Sequence, residues 1–498
     1  MKKIYSPNRL IGLAYYFFFI STLSMIWPSN TKQKSNPTPS VMNGNSIVQI
    51  KTTVLYPSFI LPWKYKNPET RYSSGIYVGN GQILVPAQAI YFYTNIEIKK
   101  FGSLQTYQAK MLRMDPDLGL ALLKIDDPIF DKNLIPVHFP DELSFPGKGI
   151  VVENEEYRNL QEKSLRLIRM DVDFYSNGYI DLPFIEIKSE ERLDGIGELI
   201  IDEITRVPQG ILYQFKTDQN TGKMIPNFMI RQFLSNEELP FKGFRYRPLT
   251  DKTTREFYGL KKDDLGILIA EVVCKSSADG VLLLEDVLLE VDGYKIDPKG
   301  FFEHPKFGKL PVSFLFHSVQ AKKSLRLKIL REKKEKIIQF PLKPIDSESI
   351  RIPFGNTRFE KPKYLILGGM VFIELSETYL MEYGNQWRTR VGKELLYLND
   401  FHKFATNKSE RKFVVISQVL PIAANKTYHG FQQVLVQDFN GTTIDSLEHL
   451  KNLYEKNKDE FIKIDTKEGT EIFFFTNQMK DLDAEIQKTF GNIKLSNL

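Results

Sequence analysis

The stretch LLLEDVLLEVDGYKI (residues 282–296) decides the architecture of the chain. Its apolar run ends in Asp292-Gly293, a pair suited to a two-residue hairpin with positive φ. Upstream lies FRYRPLTDKTTREFYGLKKDDLGILIAEVV (244–273). Downstream lie two strand-like runs, SLRLKILREKK (324–334) and KIIQFPLKP (336–344). The same order returns later. YLILGGMVFIEL (364–375) and KFVVISQVL (412–420) lead into VLVQDFNGTTI (434–444), where Asn440-Gly441 matches Asp292-Gly293. A helical run and FIKIDTKEGTEIFFFTN (461–477) close it. Two α+β units are therefore expected, over residues 242–345 and 350–498.

On the N-terminal side the pattern is short strands without long helices. SIVQIKTTVLY (46–56), SSGIYVG (73–79), GQILVP (81–86), TNIEIKK (94–100) and LGLALLKID (118–126) are rich in β-branched and aromatic residues. Gly, Asn and Pro turns separate them. Residues 46–236 read as a mainly antiparallel β domain, barrel or sandwich.

The 498 residues are 42% hydrophobic and 26% charged, which excludes a mainly disordered chain, a collagen-like fibre and a polytopic membrane protein. The 67 basic and 61 acidic residues are interspersed, so no nucleic-acid partner is expected. One cysteine, Cys274, excludes an internal disulfide and any CxxC zinc site. No metal cluster, P-loop, dinucleotide fingerprint or EF-hand stands in the sequence, so neither metal nor cofactor is expected.

Lys2, Lys3 and Arg9 precede an uncharged apolar run, LIGLAYYFFFISTLSMIW (10–27). Residues 1–27 read as a signal peptide or a membrane anchor. Both readings export the rest of the chain. The expectation is a periplasmic protein, cleaved or held to the inner membrane by residues 10–27. Residues 28–45, rich in Pro and Asn, read as a flexible linker.

A β domain followed by two such units resembles the Do/HtrA (Deg) proteases. In that family a chymotrypsin-like double β-barrel precedes PDZ domains. SSGIYVGNGQIL (73–84) and DPDLGLALLKID (115–126) resemble the N-terminal barrel, and YGLKKDDLGILIAEVV (258–273) a PDZ core. RFEKPKYLILGGMVFIELSETYL (358–380) resembles the C-terminal Do-like PDZ of plant-type Deg proteases. The resemblance implies a mainly β fold: a double β-barrel, then two PDZ-like α+β domains.

It also implies where a catalytic triad would stand. The family's His lies after the G-x-I-L strand, where this chain has Gln88. An amide has no basic lone pair for general-base work. The family's Asp position in D-L-A-L-L is Gly119; Asp117 lies two residues earlier, in a DPDLG turn. The family's Ser position in G-N-S-G-G-P falls on Gly195, or on Ile196 one residue on. Asp194, Ile196 and Glu198 put β-branched and acidic side chains where an oxyanion hole would form. His138 follows the Asp position, whereas a triad His precedes it.

PDZ domains add an extended peptide as a strand. Leu265, Gly266, Ile267 and Leu268 are the candidate peptide-binding loop, with Leu367–Val371 the corresponding stretch of the last unit. The expected partners are unfolded or C-terminal segments of other proteins. An apolar loop with Tyr56, Phe59 and Trp63 is expected to help form a homo-oligomer, a trimer by family resemblance. The leading reading is an inactive envelope pseudoprotease, a peptide-binding scaffold, adaptor or chaperone in protein quality control. An active Do/HtrA-type endopeptidase with an unconventional site and a structural assembly protein remain as alternatives.

Overall fold

The computed structural model describes residues 44–155, 159–175, 178–261, 265–318, 324–354, 361–407 and 411–498. All of them lie in one compact unit, Ser40–Leu498. The apolar run 10–27 and nearly all of the linker lie outside the described residues. Among the described residues no helix is long and apolar enough to cross a membrane.

Strand Ile47–Val54 shows why the N-terminal part is sheet. Ile50, Thr52 and Val54 alternate inward, and Ile47 and Val48 are also buried. It pairs antiparallel with Glu69–Gly79 on one side and Tyr93–Lys100 on the other. Seven strands between Ile47 and Lys124 form this sheet. Six further strands between Gly147 and Pro226 close into a barrel. Ile47, Ile76 and Leu120 from the sheet share one core with Leu182, Leu199 and Ile225 from the barrel. The two halves are therefore packed on each other, and the segments at residues 86–88 and 195–197 meet along that contact.

The middle unit holds a six-stranded sheet. Its path begins at the edge strand Phe244–Pro248, continues through Ile267–Val272 and Val287–Val291, and ends with Ser324–Arg331 and Lys334–Pro341. The last unit's sheet runs Tyr364–Leu367, Met370–Glu374, Val414–Val419, Val434–Phe439, Phe461–Thr466 and Glu471–Phe475. Both hairpins expected at D-G and N-G are present. Asp292 and Gly293 have φ of 47° and 87°, and Asn440 and Gly441 of 45° and 77°, as a type I′ turn requires.

The units are joined by side chains. The middle unit's helix Ser313–His317 lies against barrel strand Asp181–Lys188. There Lys242 Nζ donates to Asp181 Oδ1 at 2.7 Å. Lys242 N–H donates to His317 Nε2, which leaves His317 Nδ1 to donate to Asp181 O at 2.6 Å. Phe145 of the barrel and Phe307 of the middle unit stack edge to face, 5.4 Å apart.

The aromatic loop makes contacts within the chain. Phe59 is buried in the last unit's core, and Trp63 packs 5.6 Å from the Tyr364 ring. Ser417 of the last unit donates to Ile60 O. Tyr56 packs on Phe92, 5.2 Å away. Phe59 is buried by these contacts, whereas Tyr56, Ile60 and Trp63 remain partly exposed. In the edge strand Glu471–Phe475, Ile472 and Phe474 are buried, while Phe473 and Phe475 stand half exposed.

Candidate functional site

The three stretches singled out in the sequence come together where the sheet packs on the barrel. A short 3-10 turn, Ala87–Ala89, carries Gln88. Ala87 N–H donates to Gly119 O at 2.8 Å, which joins the first two positions. The third comes from the other side: Ser74 N–H donates to Ile196 O. A Cβ on Gly197 would stand 2.6 Å from Ser74 O and 2.8 Å from Pro86 Cδ.

None of the three positions holds an acid, base or nucleophile. The Gln88 side chain is engaged as a donor, Nε2 to Tyr213 O at 2.8 Å. Gly119 faces the ring of Tyr175, 3.6 Å from where a Cβ would be. Tyr175 is buried, donates its hydroxyl to Pro183 O and lies 4.8 Å from the Tyr213 ring. Two buried aromatic rings thus stand beside Gly119. Gly195 has φ +75°, and a Cβ there would meet Phe215 N at 2.5 Å. This backbone has no room for any side chain at that position.

The loop at 195–198 does gather backbone donors, as an oxyanion hole would. Gly195 N–H donates to Glu198 Oε1 and Ile196 N–H to Glu198 Oε2, both at 2.7 Å. Glu198 is 2% exposed, so the carboxylate is an internal occupant of the nest. The sequence reading placed an acidic side chain in this loop. That it turns back on its own loop rests on the path of the chain. The G-x-x-E spacing is the local signal for it.

Asp117 is bonded to a different segment. Its Oδ1 accepts from the backbone N–H groups of Tyr179 and Ile180, tying the 178–180 turn to the sheet. Burial, with the neighbouring Asp115 second, pushes its carboxyl up to about 7; the two backbone donors oppose this. His138 is exposed, and Cys274 is buried as a free thiol.

The peptide-binding loop has to be moved. Ile267 pairs with Pro248 on one side and Leu288 on the other, and Leu268 with Arg247 and Val287. A strand paired on both sides cannot accept a third. Gly266 is also closed in: a Cβ would lie 2.7 Å from Val287 Cγ1. The edge of this sheet is Phe244–Pro248. Its start, Lys242, already holds Asp181 of the barrel. In the last unit Gly368 and Gly369 form the turn between Tyr364–Leu367 and Met370–Glu374. Here too the edge is the preceding strand, Tyr364–Leu367.

Comparison with known proteins agrees with this architecture. A PDZ domain family matches residues 354–494. The putative protease Do-like 12, mitochondrial, of Arabidopsis thaliana is 24% identical over 453 residues, covering 85% of this chain and 80% of that protein. Protease Do-like 2, chloroplastic, of the same plant is 25% identical over 435 residues, covering 84% and 69%. The serine protease DegP homolog of Plasmodium falciparum is 26% identical over 245 residues, covering 45% and 28%. Among solved structures, an HtrA-type protease AlgW with tripeptide is 17% identical with a TM-score of 0.45, covering 61% of this chain and 95% of that one. The mainly β fold, the PDZ match and the Do-like relatives fit a trypsin-like domain with PDZ. The chain is a homologue of the Do/HtrA (Deg) proteases.

Proposed function

We propose that this homologue is a pseudoprotease that binds extended peptide segments as a scaffold, adaptor or chaperone. The observation that carries the reading is Glu198 seated on the N–H groups of Gly195 and Ile196. Catalysis of acyl transfer needs such donors free for the developing oxyanion. Here they are satisfied before any substrate arrives. Gln88, Gly119 and Gly195 supply no general base, no orienting carboxylate and no nucleophile. Without triad or hole, neither the main rate enhancement nor its remainder has a source.

Peptide binding is supported by the PDZ match and by the edge strand Tyr364–Leu367 lying beside helix Leu447–Lys456. We read the working form as an exported or organellar homo-oligomer. Several weak grooves on one assembly raise effective affinity. The names of the plant relatives place those proteins in mitochondria or chloroplasts.

The test is digestion of denatured casein by protein lacking residues 1–27, with fluorophosphonate labelling alongside. Neither cleavage nor labelling above a buffer control is expected. Sustained turnover that survives further purification overturns the reading in favour of an active endopeptidase.

A further inference from the structure

The edge strand Tyr364–Leu367 is covered by the last residues of the same chain. Ile366 N–H donates to Leu495 O at 2.7 Å, Leu365 and Ser496 form an antiparallel bridge, and Asn497 N–H donates to Tyr364 O at 3.4 Å. Asn497 adds two side-chain bonds: its Oδ1 accepts from Tyr364 N–H at 2.7 Å and its Nδ2 donates to Pro362 O at 3.1 Å. The helix Leu447–Lys456 lies against this strand. It supplies Lys451, whose Nζ donates to Leu498 O at 3.2 Å. Leu495 and Leu498 pack on the unit's core.

This is strand addition at a sheet edge beside a helix, the mode by which extended peptides are read. We propose that residues 495–498 are a displaceable ligand of this groove, held in cis. The groove then takes extended peptides of the same chemistry, an apolar residue, a hydroxyl residue, Asn and an apolar residue, when the tail lifts off. The proposal rests on the reading of the last unit as a peptide reader. Three features make the tail displaceable rather than fixed. It is short, its residues 495–498 are only partly buried, and it joins the body through a reversal. Helix Met479–Phe490 ends at Gly491 and Asn492, with φ of 85° and 57°. Those two residues turn the chain back and can act as the hinge. Tethering keeps the local tail concentration high. An outside peptide meets an open groove only in the fraction of molecules whose tail is released.

A fluorescent peptide with the sequence of residues 492–498, NIKLSNL, tests this against the full chain and a chain ending at Lys494. Binding to the shortened chain is expected in the roughly micromolar range, and at least about tenfold weaker to the full chain. Lys451→Glu in the shortened chain should lower it again. Equal binding to both chains, or none to a shortened chain that melts like the parent, overturns the proposal. A shortened chain that binds other extended peptides but not NIKLSNL sinks the cis ligand and leaves the reader standing; one that binds no peptide sinks both. Should the shortened chain fail to fold, hydrogen exchange on the intact protein decides. The Ile366 amide is expected to exchange by local opening well ahead of the amides of Met370–Glu374. Exchange of Ile366 in step with that central strand makes the tail a fixed strand and overturns the proposal.

Discussion

The Glu198 carboxylate accepts the Gly195 backbone N–H at 2.7 Å, three residues back in its own loop. Replacing it tests whether the carboxylate holds the loop together. Glu198→Ala leaves the Gly195 and Ile196 donors buried without an acceptor, at about 1–3 kcal/mol for each group. A urea melt should show the loss, and Glu198→Gln, which keeps one acceptor oxygen, should show less. An unchanged midpoint for the Ala variant would mean that water satisfies both donors.

Restoring a serine at the family position should not restore chemistry. Gly195→Ser puts a Cβ 2.5 Å from Phe215 N on a backbone with φ +75°. The loop must move, at a cost of about 1–3 kcal/mol. The hydroxyl would still have no base, because Gln88 Nε2 is a donor committed to Tyr213 O. The expected outcome is a lower melting temperature and no casein cleavage. A gain of fluorophosphonate labelling would contradict it.

Asp117 gives a pH signature. Its carboxyl is raised to about 7 in the fold, against 3.8 as an ordinary side chain. A raised acid favours the folded state most below the lower value and loses that advantage as pH climbs through the upper one. Asp117→Asn should therefore gain on the parent between about pH 4 and 7 and hold a constant lead above that. Melts across this range check it; a lead independent of pH would place the ionisation elsewhere.

Asp181 has the opposite sign. Burial alone would raise its carboxyl, but Lys242 and His317 outweigh burial and hold it far below the carboxylate range. Its stabilising share is present above about pH 4 and disappears as acid is added below that. Asp181→Asn strands Lys242 in the barrel contact, and removing one partner of such a pair costs about 3 kcal/mol. Trypsin should then cut the connection near Lys242 sooner than in the parent. Equal cutting would show that the Phe145–Phe307 contact holds the units without the ion pair.

Phe59→Ala combined with Trp63→Ala should loosen the last unit. A buried Phe→Ala change costs about 3–5 kcal/mol. The aromatic pair here packs on residues of that unit, such as Tyr364. Limited proteolysis within the last unit should accelerate, with the mass in light scattering unchanged. A fall in mass instead would return these residues to a subunit interface.

The hairpins at Asp292-Gly293 and Asn440-Gly441 were legible because their chemistry is local: two adjacent residues accept positive φ. So was the alternation of IVQIKTTV. The meeting of Gln88, Gly119 and Gly195 was legible only through resemblance to a family whose barrel brings such positions together. Two things were not legible. LGIL at 265–268 reads as a strand, but whether a strand lies at an edge or in the middle depends on partners far along the chain. For the same reason, an apolar loop such as 56–63 declares that it needs a cover without saying which surface provides it.

One hydrophobic cluster includes Phe59, Ala87, Tyr91 and Phe92 of the N-terminal sheet together with Phe372, Ile416 and Leu447 of the last unit. Further links, Arg245 to Asp400 O and Cys274 N–H to Ala405 O, tie the middle unit to the same body. Dissection of this chain at its apparent joints is therefore hazardous. Excising the last unit would strip four apolar or aromatic residues of their cover and leave an adhesive face on the remaining N-terminal half. Such a fragment would prevent the aggregation of other proteins through that wound alone. Holdase activity measured on it would be an artefact of the cut, so only the intact chain can report whether the protein is a chaperone.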